Sequence, residues 1–242
     1  MNGLDARVAQ LLERVNNACE SAGRSFDSLH ILLATKTRTA DEIRAAYEEF
    51  ARQGVTVSVG ENRAQEMAKH SELDDLRPAS DSDDPTSGMQ RHFIGRIQTN
   101  KARDVVRFAD LIHSVDREDL IPALERRANN DGITQRVLLQ VNTSGEESKG
   151  GFEPDAALLR DQVSRCRENG ILIPEGLMTI GANTTDEAEV TRSLRLLREL
   201  RDQLADDAMS TLSMGMSHDL EAAIAEGATI VRVGSAVFGP RA

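Results

Sequence analysis

Eight short apolar runs recur along this chain, and between them the apolar residues switch to helical spacing. The runs cover 29–34, 55–59, 92–94, 111–113, 137–141, 171–177, 209–212 and 230–233. In 41–52, Ile43, Ala46, Tyr47 and Phe50 repeat every three or four residues, as do Val190, Leu194, Leu197 and Leu204 in 186–204. Short strands that alternate with helices build a parallel sheet. Eight such units in 242 residues suit a closed sheet better than an open one. The pattern therefore predicts an α/β fold, a (β/α)8 barrel of the TIM type, as a single domain over 1–242. An additional N-terminal helix is predicted from Leu4, Val8, Leu11, Leu12, Val15 and Cys19 on one face, with Gly23 as its stop. Thr99 and Ser217 read as helix caps. The stretch 71–90 is acidic and rich in Pro, Ser and Gly, and reads as a mobile surface loop. Aromatic residues make up 3% of the chain, so the core must be aliphatic, as barrel interiors commonly are.

A formal charge of −11 argues against a nucleic-acid partner, which would require a basic face. The first residues are charged throughout and hold no signal-like apolar core, and no run approaches the ~20 apolar residues of a membrane span. A cytoplasmic protein is expected. The two cysteines, Cys19 and Cys166, lie far apart inside helical patterns and read as buried, reduced thiols. No metal-ligand spacing is present.

In α/β barrels chemistry sits at the C-terminal ends of the strands. The first run ends at Lys36, and a partly desolvated lysine there is a Schiff-base candidate. The second leads to Asn62, which either caps the next helix, with Glu66 in its first turn, or faces the barrel mouth. His92 reads as a structural hydrogen-bonding group rather than a catalyst. For Asn142, Ser144 and Lys149 a plain loop serves as well as a site. Met178 is either core or a surface for a flat ligand. The seventh and eighth runs lead into small residues, Ser213, Met214 and Gly215, then Gly234 and Ser235. Barrels often bind phosphate after these two strands, with backbone N–H groups converging on the anion. Arg232 lies inside an apolar strand, where an unpaired guanidinium is costly. It meets either a carboxylate, Glu61 or Asp219, or a ligand, and the ligand is favoured.

The segments LLATKTRTADEI, VGENRAQE, RHFIGRIQTNKAR, IHSVD, VNTSGEESKGGF, GLMTIGA and LSMGMSHDLEAAIAEGATIVRVGSAVFG run from residue 32 to 239. In order and spacing they resemble the pyridoxal phosphate homeostasis proteins. The resemblance implies a single barrel similar to the cofactor domain of alanine racemase. It implies pyridoxal 5'-phosphate held as a Schiff base on Lys36, with Arg232 facing the pyridine nitrogen. Ser213, Gly234, Ser235 and the backbone at Met214 would hold the phosphate, and Asn62, His92 and Met178 would surround the ring. A permanent cation beside the pyridine nitrogen disfavours its protonation and so weakens the ring as an electron sink. The expected role is therefore a non-catalytic cofactor carrier serving pyridoxal phosphate homeostasis, with apo enzymes as recipients. A weak amino-acid racemase is the alternative. The chain ends directly after its eighth strand unit, so the second domain of a racemase is not expected, and a monomer with an open site is. Tyr47 is expected in the core. Two residues depart from the family pattern: Arg63 stands where tyrosine is common, and Arg91 where tryptophan is. The acidic loop before residue 90 reads as longer than usual.

Overall fold

Strand β1 (His30–Ala34) pairs in parallel with β2 (Val57–Glu61) on one side and with β8 (Ile230–Val233) on the other, and the second pairing closes the sheet. The structure is a computed structural model, and it describes residues 3–78, 88–146 and 149–239. Between these strands run β3 (Arg91–Phe93), β4 (Leu111–Val115), β5 (Gln135–Gln140), β6 (Leu172–Met178) and β7 (Thr211–Ser213), giving a closed barrel in chain order. The helices are α1 (Leu4–Ser21), α2 (Ala40–Arg52), α3 (Ala102–Phe108), α4 (Leu120–Asp131), α5 (Ala156–Arg167), α6 (Glu187–Leu204), α7 (Leu220–Ala225) and the single turn α8 (Ser235–Phe238).

Side-chain alternation sorts each strand into two layers. Leu32, Leu111, Leu138, Met178 and Ile230 meet inside the barrel. Ile31, Leu33, Val57, Val59, Ile112 and Val137 face outward and pack beneath the helices. Helix α1 buries the predicted face, Val8, Leu11, Val15 and Cys19. It packs on α2, α7 and α8, and so covers the wall where β8 meets β1. Arg14 of α1 pairs with Glu221 and donates to the Ser217 carbonyl at 2.7 Å, which ties this helix to the loop after β7. Cys19 and Cys166 are free and buried.

Several boundaries differ from the sequence reading. Strand β2 starts later and runs through Gly60 and Glu61, because the Val55 N–H is committed to the Phe50 carbonyl at the end of α2. Thr99 lies in a 3-10 turn ahead of α3 and caps nothing; its hydroxyl accepts from Arg117. Asp219, not Ser217, is the cap residue of α7, and its carboxylate accepts the Met216 N–H at 2.6 Å. The stretch 71–90 needs the largest correction. Residues 71–76 belong to a 3-10 helical segment, Ala64–Leu76, with Leu73 fully buried. Two of the three acids in 71–76 are partnered: Asp74 pairs with Arg91 and Asp75 with Arg44, both at 2.7 Å. Met89 is buried as well. Residues 79–87 lie outside the described residues. Among the described residues no helix is long and apolar enough to cross a membrane, and no cluster suits a metal ion.

Candidate functional site

Lys36 follows β1 in a tight turn closed by the Arg38 N–H on the Thr35 carbonyl, 3.0 Å. Its side chain is half-buried, and its ammonium has no ion pair or hydrogen bond among the described residues. It opens on a cavity of about 420 Å³ at the C-terminal ends of the strands, lined also by Asn62, Ile94, Ser217, Arg232, Gly234 and Ser235. Arg38 borders the same space, held by Glu42 and by the Gly239 carbonyl. Lys36, Arg38 and Arg232 thus line the cavity, and no carboxylate does so among the described residues. In a chain of formal charge −11 this local excess of cations runs against the overall balance and favours an anion at the site.

Asn62 does not cap the next helical segment, whose cap residue is Arg63. Its Oδ1 is buried without a hydrogen-bond partner among the described residues. A buried, unpaired amide oxygen costs free energy unless a ligand or water satisfies it. Gly95 makes this placement possible, since a Cβ there would lie 2.0 Å from the Asn62 carbonyl oxygen. A neighbouring cavity of about 460 Å³ shares Asn62 and is lined by Arg63, Arg96 and Lys101. Arg63 therefore borders this second space and not the one at Lys36. Arg91 is also remote from Lys36: it is buried against Phe108 and bonded to Asp74 and the His70 carbonyl.

After β8 the chain turns sharply at Gly234. The Val237 and Phe238 N–H groups fold back onto the Gly234 carbonyl, at 3.0 and 2.9 Å. That leaves the Ser235 and Ala236 N–H groups, in the first turn of α8, without acceptors among the described residues. Ser217 reaches the same cavity from the loop after β7.

Ser213 and Met214 are a correction to the expected phosphate set. Ser213 pairs in register with Ile230, four residues before Gly234, so it lies roughly 13 Å deeper along the strand direction. It is fully buried, and its hydroxyl is engaged by Arg232 and His113. The Met214 N–H is committed to the Ile230 carbonyl at 3.1 Å. His92 and Met178 are likewise buried below the cavity and do not line it. Met178 takes the core alternative, packed with Leu32, Leu111 and Leu138. The structure therefore brings Lys36, Asn62, Arg232, Gly234 and Ser235 together and leaves Ser213, Met214, His92 and Met178 beneath them. The sequence reading missed Arg38, Ser217 and His218 as cavity residues.

Arg232 finds neither of the carboxylates considered for it. Glu61 is taken up by Thr35, Lys69 and His70. Instead Nη1 donates to the Ser213 carbonyl and hydroxyl, and Nη2 to the Thr179 carbonyl, each at 2.7 Å. A guanidinium has five N–H donors, so Nε–H and one Nη2–H are left over. Burial lowers the Arg232 pKa to about 10, against a smaller opposing pull from Asp219, which leaves it charged near neutrality.

Below Arg232 the polar contacts continue. His113 Nδ1 meets Ser213 Oγ at 2.8 Å, His113 Nε2 meets His92 Nδ1 at 2.9 Å, and His92 Nε2 meets Gln90 Oε1 at 3.4 Å. With both rings neutral these form one directed series: arginine donates to serine, serine to His113, His113 to His92, and His92 to Gln90. Burial pushes His92 and His113 well below the usual imidazole range, helped by His113 in the case of His92 and by Arg232 in the case of His113. Burial and the charge of Arg136 lower His30 to about 4. The unfolded chain protonates these rings near 6.5 and the folded chain does not. Unfolding thus takes up protons as the pH falls, so the stabilisation is complete above 6.5 and is lost from there toward 4. The expected slope is up to about 1.4 kcal/mol per pH unit per histidine. Urea midpoints measured from neutral pH downward should fall through this window, and a flat profile there would contradict neutral burial.

Fold and site together define a closed parallel barrel with a cationic cavity at its C-terminal strand ends, a lining whose charge suits a small anion. Residues 37–242 match the family model described as "Alanine racemase, N-terminal domain". The chain is 42% identical over 239 residues to the pyridoxal phosphate homeostasis protein of Aquifex aeolicus, covering 97% of each chain. It belongs to the pyridoxal phosphate homeostasis protein family. A crystal structure of an unknown protein from Bifidobacterium adolescentis aligns with a TM-score of 0.86 at 41% identity, over 97% of this chain and 94% of that one. PipY of Synechococcus elongatus, solved with PLP bound, aligns with a TM-score of 0.76 at 32% identity, over 98% of this chain and all of that one, 100%.

Proposed function

We propose that this chain binds pyridoxal 5'-phosphate in the Lys36 cavity and serves pyridoxal phosphate homeostasis as a carrier rather than as an enzyme. The observation that carries the reading is the lining itself: three fixed cations, no carboxylate among the described residues, and an unsatisfied Asn62 oxygen, on the barrel that the PLP-bound relative shares.

Ser235 and Ala236 would hold the phosphate through their free N–H groups, with the Ser217 and Ser235 hydroxyls beside them. Arg232 would present a spare N–H to the pyridine nitrogen, and Lys36 would be the covalent attachment point. When bound, the cofactor supplies an aldehyde that links to amines and a ring that accepts electrons. Arg232 weakens the second capacity, because a guanidinium donor leaves the ring nitrogen unprotonated. The series running down to Gln90 keeps that guanidinium in place. This supports storage and transfer over chemistry at an amino-acid carbon. His218, exposed at the rim, is the residue to watch for residual racemase activity. A cytoplasmic location, a monomeric state, apo enzymes as recipients and a single domain over 1–242 complete the proposal.

Borohydride reduction of the loaded protein followed by peptide mapping tests the attachment, and the adduct should lie on Lys36. Incubation with L-alanine should give no D-alanine, while a cofactor-requiring apoenzyme gains activity on mixing. An adduct confined to another lysine, or steady racemisation, would overturn the reading.

A further inference from the structure

Thr37 has a φ of 64°, in the left-handed region that a β-branched residue seldom occupies. It stands next to Lys36, so the turn that aims the lysine is strained and must be held from outside. The restraints come from the segment after β2. Glu66 Oε2 accepts the Thr37 N–H at 2.6 Å. Lys69 Nζ meets Glu66 Oε2 at 3.3 Å, the Thr35 carbonyl at 2.9 Å and Glu61 Oε1 at 2.9 Å. Glu61 Oε1 in turn accepts the Thr35 hydroxyl at 2.6 Å and meets His70 Nε2 at 2.9 Å. Both flanks of Lys36 are thereby tied: Thr35 through its carbonyl and hydroxyl, Thr37 through its N–H. The Glu61 side chain is fully buried, and Glu66 and Lys69 are each 18% exposed, so these contacts are shielded from water. None of the three lines the Lys36 cavity.

We propose that Glu66 and Lys69 are positioning residues for Lys36, holding the Thr35–Lys36–Thr37 turn so that the amine meets an aldehyde in the cavity. The inference rests on the reading that Lys36 carries pyridoxal phosphate. In the step concerned, Lys36 nitrogen replaces the aldehyde oxygen: a C=N bond forms and the C=O bond breaks. The oxygen leaves as water with two protons of the ammonium, and the third stays on nitrogen. Without Glu66 the turn relaxes out of its left-handed conformation and the amine loses its aim. The phosphate and ring contacts, which come from other strands, are unaffected.

Two probes separate these effects: pyridoxal 5'-phosphate, and pyridoxine 5'-phosphate, which has an alcohol in place of the aldehyde and forms no link to lysine. Glu66→Ala should weaken pyridoxal phosphate binding about tenfold and leave pyridoxine phosphate within about twofold of wild type. Glu66→Gln keeps an acceptor for the Thr37 N–H and should restore most of the loss. Lys69→Met should show the same selectivity, which guards against a folding fault peculiar to one variant, and pyridoxine phosphate binding reports the fold of each. Equal loss of both probes, or loss of neither, would overturn the positioning role. Wild-type protein that binds both probes but is labelled by borohydride elsewhere would instead overturn the assignment of Lys36, and this inference with it.

Discussion

Protein carrying Lys36→Ala is expected to stay colourless when saturated with pyridoxal 5'-phosphate and to take up no borohydride label, while still binding the cofactor reversibly. The change is all-or-none in the spectrum because no second amine lines the cavity among the described residues: its other cations, Arg38 and Arg232, are guanidinium groups that form no stable link to an aldehyde. Reversible binding should persist because the groups proposed to hold the phosphate and ring lie on β8 and in the loops after β2, β7 and β8, not on the Lys36 turn. Affinity should fall by about tenfold to a hundredfold, the link and one cation both being lost. Absorbance titration and equilibrium dialysis measure the two quantities separately. A visible band in the variant, chased to another lysine by peptide mapping, would show that the attachment point is misplaced.

Ser235→Asp is expected to cost more in affinity. Ser235 is exposed and opens α8, so its side chain stands where the free N–H groups of the first turn emerge. An aspartate there sets a negative charge against a phosphate dianion. At a few ångströms and a surface-like dielectric this is worth about 3 kcal/mol, or about a hundredfold or more. The fold should not suffer, because an acid in the first turn of a helix is favoured by a few tenths of a kcal/mol. The expected signature is therefore a lost ligand with an unchanged or slightly raised melting temperature. Normal binding by this variant would place the phosphate elsewhere in the cavity.

What the sequence reveals about this molecule follows from which quantities side-chain order encodes. Alternation with a period of two shows which residues face into a barrel, so Leu32, His92, Ser213 and Arg232 are all legible as inward-facing. Depth along the barrel is another matter. It depends on strand register, and only the pairing of Ser213 with Ile230 shows that this serine lies far below Ser235. Hence Ser213, Met214, His92 and Met178 could be read as site residues although they lie buried beneath it and do not line it. The two glycine-rich turns share composition but differ in role. Gly215 has a φ of 91°, and a Cβ there would lie only 2.4 Å from the Ala223 side chain, so it serves close packing, whereas Gly234 leads into the turn at the cavity. Ser217 was hidden because serine before a helix reads as a cap, whereas Asp219 occupies the cap position here. Asp74 and Asp75 read as solvated because their arginine partners, Arg91 and Arg44, are remote in sequence. His113 gave one usable signal: a histidine inside an apolar run needs a polar partner.

The pairing of β1 with β8 has a consequence for when the site comes into being. Lys36 leaves the ribosome early, but the groups proposed to hold the phosphate are made only after seven further strands. Until the final seam zips, the lysine has a turn to stand on and nothing to face. Such long-range closure is slow for reasons of chain entropy. A ligand that spans the seam binds only the finished ring and stabilises it by mass action. A cofactor bridging Lys36 and the β8 turn, as proposed, would then hold the two ends of the sheet together across their seam.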